Sequence, residues 1–406
     1  MIDGGCFAGY DPAQGLSHSI DDLLADFARN GVSQGIVGSY RCIYHDVRKG
    51  NIEASRWAAQ HPTEVLPLAI LNPAYYGEEP EMLLRWLKEK LGFRIAGLFS
   101  VPSYYAVDWE SPLVQEIGRL AASLGLTLQA GIQTPAELAQ VMRAWAPYRV
   151  PTMIRWMAGH RYMALSSELV TARQWTSVVF DVGNLNSTGA LEFINRQLGA
   201  ERLFFASNSP HNIAAPPHII LREARIEAAD KQLIQRGTVA RLLGLGPSSA
   251  PPGSFSNDER WRQLRLVPKV DIHWHPDQWN LGEPCISPSD QVRIFDLYGY
   301  EKVLFCSIQA LNYDLVMGNE DVANWFSRDQ RIFGLIVVDP MRCRESLEQM
   351  ERWAEHPRFV GIKTIQDMYG FGLDDHRYEP ILQDAARRQL PILAHMPGLD
   401  LAAARH

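Results

Sequence analysis

The sequence is short of cysteine: five residues in 406, Cys6, Cys42, Cys285, Cys306 and Cys343, with no Cys-x-x-Cys pair. That is too few for a disulfide framework and wrongly spaced for a four-thiolate zinc site, so a reducing, cytoplasmic setting is expected. An excess of basic residues is also missing. Lys and Arg number 39 against 46 Asp and Glu, a formal charge of −7, which leaves no electrostatic footprint for nucleic acid or an anionic membrane surface. No apolar run reaches the length of a membrane span. The opening Met1-Ile2-Asp3-Gly4-Gly5-Cys6 has neither the basic start nor the apolar stretch of a secretory signal. What is there is 46% hydrophobic and 21% charged, the balance of a soluble globular chain long enough for about two domains.

Up to residue 245, short apolar runs alternate with longer amphipathic segments. Strands are expected at 2–3, 35–39, 65–71, 95–100, 126–130, 152–156, 177–181 and 202–207. Helical patterns lie between them at 20–30, 51–60, 80–91 and 112–124, several opened by capping residues such as Ser19, Ser111 and Thr134. Eight strands alternating with helices match a (β/α)8, TIM-like α/β barrel in count and length. A doubly wound open sheet is the runner-up, but no Gly-x-Gly-x-x-Gly follows an early strand. The run Gly246-Pro247-Ser248-Ser249-Ala250-Pro251-Pro252-Gly253-Ser254 is too rich in Pro, Gly and Ser to pack a core. It reads as a linker, so 246–268 is expected to separate a first domain at 1–245 from a second region at 269–406.

The second region repeats the first. Asp271 stands 268 residues after Asp3, and Gly318-Asn319 stands at the same distance after Gly50-Asn51; Gly361 follows Gly97 by 264. Leu71-Asn72-Pro73 is answered by Val338-Asp339-Pro340. A near-constant offset over about 130 residues points to a tandem duplication with one small deletion. Aligned this way, His273 and His275 stand opposite Gly5 and Phe7, Lys363 opposite Phe99, and His395 opposite Gly131. The polar residues of one copy are apolar or featureless in the other.

Those polar residues form a candidate site. Val270-Asp271-Ile272-His273-Trp274-His275 reads as a strand, and a period of two puts Asp271, His273 and His275 on one face. His395 ends a fifth strand, in Leu393-Ala394-His395-Met396-Pro397-Gly398. In a barrel, strands one and five face each other across the mouth. Two imidazoles from one and a third from the other make the three-nitrogen start of a catalytic zinc site, with a position left for water. Metal ligation is therefore expected at His273, His275 and His395. Asp271 and Lys363 are the catalytic candidates, Lys363 through contact with an anionic substrate group or as a metal bridge if carbamylated. Trp274 and Trp279 suit a pocket wall or simple packing. Asp374-Asp375-His376 suits substrate contact or a helix cap, and Asn51 and Asn319 read as helix caps. The first region reads as catalytically silent: Asn208 at the eighth strand is neutral and cannot accept a proton as a carboxylate does, and His160, His211 and His218 have no partner at ligand spacing.

Asp-x-His-x-His on a first strand, Gly-Ile-Lys on a fourth and Leu-Ala-His-x-Pro-Gly on a fifth resemble the amidohydrolase superfamily, in its amidohydrolase-related branch of metal-dependent hydrolases and decarboxylases. The run Arg202-Leu203-Phe204-Phe205-Ala206-Ser207-Asn208-Ser209-Pro210 resembles the same branch, which usually carries Asp where Asn208 stands. The resemblance implies two barrels, a degenerate first and a second of which residues 269–406 supply only the N-terminal part, about five strands. The sixth-strand His and eighth-strand Asp of that family have no counterpart in the second copy. It further implies a divalent metal, zinc foremost, and hydrolysis of a C–N or C–O bond in a small molecule by activated water. Non-oxidative decarboxylation is the alternative within the branch, and a non-catalytic scaffold or inactive fragment the alternative outside it. The expected partner is a small-molecule substrate, with no nucleic acid or membrane; a homo-oligomer stays open.

Overall fold

The computed structural model describes residues 1–13, 15–72, 79–100, 106–156, 169, 172–185, 189–211, 215–246, 263–278 and 286–395. The chain falls into two compact units, Met1–Asp258 and Glu259–His406. Most of the expected linker lies outside the described residues, as do Trp279, His160 and Cys285.

The first unit is built on β1 (Ile2–Asp11), β2 (Leu16–His18), β3 (Gln34–Ser39), β4 (Val65–Ile70), β5 (Ile95–Phe99), β6 (Thr127–Ile132), β7 (Thr152–Trp156), β8 (Val178–Asp181) and β9 (Leu203–Phe204). They form one sheet in the order β2-β1-β3-β4-β5-β6-β7-β8-β9. Only β2 runs antiparallel, as a hairpin on the end of β1 whose turn is held by the Ala13 N–H on the Asp11 carboxylate. Past β9 the chain returns to the first strand. Gly4 N–H donates to Phe205 O at 2.7 Å, Asn208 N–H to Gly5 O at 3.2 Å and Phe7 N–H to Ser209 O at 2.9 Å. Parallel strands in chain order, with the last bonded back to the first, fit a TIM-like barrel. Ile36, Leu68, Ile95, Met153, Val179 and Phe204 fill its interior, one from each of six strands. Helices cover the outside, and Ser19, Ser111 and Thr134 cap them as the sequence indicates. β1 runs ten residues where two were expected. Its glycines hid it: they carry no alternation, and the burial of nearly the whole strand supplies the stability that propensity lacks.

Among its described residues the second unit has five parallel strands in chain order, β10 (Lys269–Trp274), β11 (Tyr300–Phe305), β12 (Ile332–Val337), β13 (Phe359–Ile365) and β14 (Ile392–His395). β10 and β14 are its edges. Trp274 packs on Phe295 and Phe305 and donates its indole N–H to Gln291 at 2.9 Å, so its role is packing.

Asn51 and Asn319 are not helix caps. Their helices start earlier, at Val47 and Leu315, capped by Asp46 and Asp314. Both asparagines are buried mid-helix and clamp a strand end. Asn51 exchanges two hydrogen bonds with the backbone of Ile70, at 3.0 and 2.9 Å. Asn319 does the same with Val337, at 3.1 and 2.8 Å. Beside each stands a glycine where the helix meets a shorter one: a Cβ on Gly50 would come 2.5 Å from Cys42 Sγ, and on Gly318 2.2 Å from Ala310 N. Among the described residues no helix is long and apolar enough to cross a membrane.

Candidate metal centre

β10 and β11 are parallel neighbours, and the chain just beyond each carries a metal-ligating side chain. His275 follows the end of β10 and Cys306 the end of β11. Loops at the C-terminal ends of parallel strands are where such folds place their chemistry. The strand does not alternate simply. Its pairing with β11 shifts register between Asp271 and Trp274, and Asp271 Oδ1 accepts the backbone N–H of His273 at 2.9 Å. The irregularity brings the two imidazoles edge to face, ring centroids 4.9 Å apart. Asp271 therefore holds the strand that carries the histidines.

The ligand atoms of His273, His275 and Cys306 lie within 4.8 Å of one another. Cys306 was not among the residues singled out from the sequence. The sequence does carry a signal for it: Gly38 stands 268 residues earlier, the offset that sets His273 and His275 against Gly5 and Phe7. His275 Nδ1 lies 2.9 Å from the Cys306 carbonyl oxygen and 3.5 Å from Sγ. A carbonyl only accepts, so this contact puts the proton on Nδ1 and leaves Nε2 with its lone pair. Asp277 fixes the turn after β11, accepting the Ser307 hydroxyl at 2.6 Å and the N–H groups of Ile308 and Gln309 at 2.9 and 2.8 Å.

Lys363 lies within β13, fully buried. Its charge acts on both neighbouring groups. Desolvation first, then Lys363, His275 and His395, hold His273 down to about 4. Burial pushes the Cys306 thiol up to about 12, with Lys363 working against that rise. At neutral pH His273 is an uncharged donor. His395 ends β14, paired with Ile365, and is exposed; it is near enough to act electrostatically on His273 but stands outside the three-residue cluster. The Asp375 carboxylate is taken by Arg377, and His376 is exposed.

The donor set fits a divalent ion. Two imidazoles and a thiol are ligands for zinc, and tetrahedral coordination needs donor atoms roughly 3.3–3.8 Å apart.

In the first unit the space beside Gly5 and Phe7 is filled by Arg155, from β7. Its guanidinium lies over the Phe7 and Phe99 rings, 5.1 and 5.5 Å from their centroids. It donates to Gly5 O at 3.0 Å, to Gln129 Oε1 at 3.2 Å and to Asn208 Oδ1. A Cβ on Gly5 would fall 2.2 Å from Arg155 Cζ, so only glycine leaves room there. Asn208, with φ 56°, also donates to Trp156 O at 3.0 Å. Asp181 is buried nearby, and desolvation raises it to about 7. Of the other histidines, His211 faces Asp11 at 3.5 Å, whereas His218 is buried against Asn30 O and is not a surface residue.

Of the comparisons with known proteins, the family-model match lies in the second unit. Residues 313–405 match the amidohydrolase family model. That segment contains Lys363 and His395, begins after Cys306, and supports the amidohydrolase superfamily. No curated protein matches the chain. Among solved structures, 5-carboxyvanillate decarboxylase LigW from Sphingomonas paucimobilis is similar over 61% of this chain and 99% of its own, at 13% identity and a TM-score of 0.49. A putative 2-pyrone-4,6-dicarboxylic acid hydrolase from Pseudomonas putida is similar over 61% and 98%, at 18% identity and a TM-score of 0.49. A 5-carboxyvanillate decarboxylase from Novosphingobium aromaticivorans, a mutant with bound manganese, is similar over 55% and 80%, at 14% identity and a TM-score of 0.43.

Proposed function

We propose that the second unit is a metal-dependent, amidohydrolase-type catalytic module acting on a small anionic molecule, and that the first unit is a degenerate copy of it. The observation that carries this reading is the convergence of His273, His275 and Cys306 at the ends of two adjacent parallel strands. His273 and His275 hold a divalent ion, with zinc first among candidates, and His395 approaches from β14. Bound there, such an ion supplies a Lewis acid for a carbonyl group and for water. Asp271 orients His273 through the backbone, and the Cys306 carbonyl orients His275. Lys363 holds the substrate's anionic group. The first unit contributes no chemistry, because Arg155 occupies the space between Gly5, Phe7, Phe99 and Asn208. A reducing, cytoplasmic setting suits a centre containing a free thiol.

Hydrolysis of a C–N or C–O bond is the leading reaction, and non-oxidative decarboxylation the second. Lys363 favours keeping the second, since a buried ammonium beside the site is a natural partner for a carboxylate. The test is to supply zinc to the full chain and assay a panel of small carboxylic acids, amides and esters for CO2 release and for bond cleavage. Turnover that disappears with chelation and in His275→Ala supports the reading. Turnover indifferent to both overturns it.

A further inference from the structure

We propose that Cys306 is a metal ligand of this centre, making it a mixed thiolate–imidazole site rather than one built from histidine alone. The inference rests on the metal-centre reading above and deepens it by naming a donor that neither the strand motif nor the resemblance contains.

Three observations carry it. Cys306 Sγ belongs to a cluster in which it and the ligand atoms of His273 and His275 all lie within 4.8 Å of one another. The residue is held in place from both sides: its N–H donates to Trp274 O at 2.9 Å, and its carbonyl meets His275 Nδ1 at 2.9 Å. The same bonds that fix the thiol also aim His275 Nε2, so one strand end sets two donors. Finally, Cys306 is opposed by Gly38 in the first unit, just as His273 and His275 are opposed by Gly5 and Phe7. A cysteine kept only for packing would have no reason to differ in step with two histidines.

The chemistry of binding is a proton exchange. The ion takes the place of the S–H hydrogen on Sγ, and that proton leaves to solvent. A thiolate donor is soft, so the site selects zinc or cobalt over manganese and magnesium, which prefer oxygen ligands. This separates the centre from an all-nitrogen-and-oxygen site of the same fold.

Cobalt(II) added to the full chain is the probe. Wild type is expected to show a thiolate-to-cobalt charge-transfer band in the near ultraviolet, together with the visible bands of tetrahedral cobalt. Cys306→Ser is expected to lose the charge-transfer band while retaining weaker cobalt binding. X-ray absorption on wild-type zinc protein, which needs no variant, should find a sulfur scatterer at about 2.3 Å. Cobalt bound without the band, and zinc without sulfur, overturns Cys306 as a ligand and leaves the histidine site standing. A chain that binds neither ion overturns both this inference and the metal-centre reading.

Discussion

On the proposed reading Arg155 and His273 occupy corresponding ground in the two units, and the surroundings of Arg155 leave no place for an ion in the first. The Arg155 guanidinium is a permanent cation. It is buried on two aromatic faces and bonded to Gln129, Asn208 and the Gly5 carbonyl, so no second cation can enter. Replacing it with methionine keeps much of the volume but removes the guanidinium from Gln129 Oε1 and Asn208 Oδ1, leaving the Gly5 carbonyl only its Asn208 N–H. Arg155→Met should lower stability by about 2–4 kcal/mol in urea denaturation, without conferring metal uptake, because Gly5 and Phe7 offer no donor. Asp181 gives a second test. Burial raises its folded pKa to about 7 from an ordinary 3.8, so the folded state holds an extra proton between those values. Stability therefore falls as pH rises from about 4 to 7, and Asp3, raised in the same direction, adds to the trend. Thermal melts at pH 5 and pH 8 should differ in wild type and differ less in Asp181→Asn. At this scale the nearness of His273 and His275 was legible from their closeness in the chain, although a register shift rather than a simple strand period brings the rings together. Arg155 was not, since nothing in Met153-Ile154-Arg155-Trp156 says that its side chain crosses the barrel to reach Gly5. Cys306 could be reached in the sequence only through the 268-residue offset, which sets it against Gly38.

The strands of the first unit could be read from short apolar runs, and β7 matches its expected bounds residue for residue. β2 and most of β1 were hidden because hairpin chemistry and glycine replace alternation there. The asparagines misled for a physical reason: Asn at a helix start is commonly a cap, whereas here the amide serves a neighbouring strand from mid-helix. Each satisfies both the N–H and the C=O at the end of a strand. Asn319→Ala leaves the Val337 amide and carbonyl buried without that partner, at a cost of about 1–3 kcal/mol. Hydrogen exchange should show the Val337 amide losing protection, and Asn51→Ala should do the same to Ile70. An unchanged exchange rate at either amide would contradict the clamp.

For the whole molecule, the two units share a set of devices at nearly one offset: an aspartate gripping the first strand (Asp3, Asp271), a serine opening the helix after the next strand (Ser39, Ser307) and the buried asparagine clamp. On the reading advanced here, these belong to a common scaffold, and the ligand positions are where the copies diverged. The most direct test is metal content. Full-length wild type, His273→Ala, His275→Ala and Asn208→Ala should be loaded with zinc, freed of excess and measured by elemental analysis. Wild type and Asn208→Ala are predicted to retain zinc at one ion per chain, and the two histidine variants to retain none. Equal zinc in all four proteins would contradict the account.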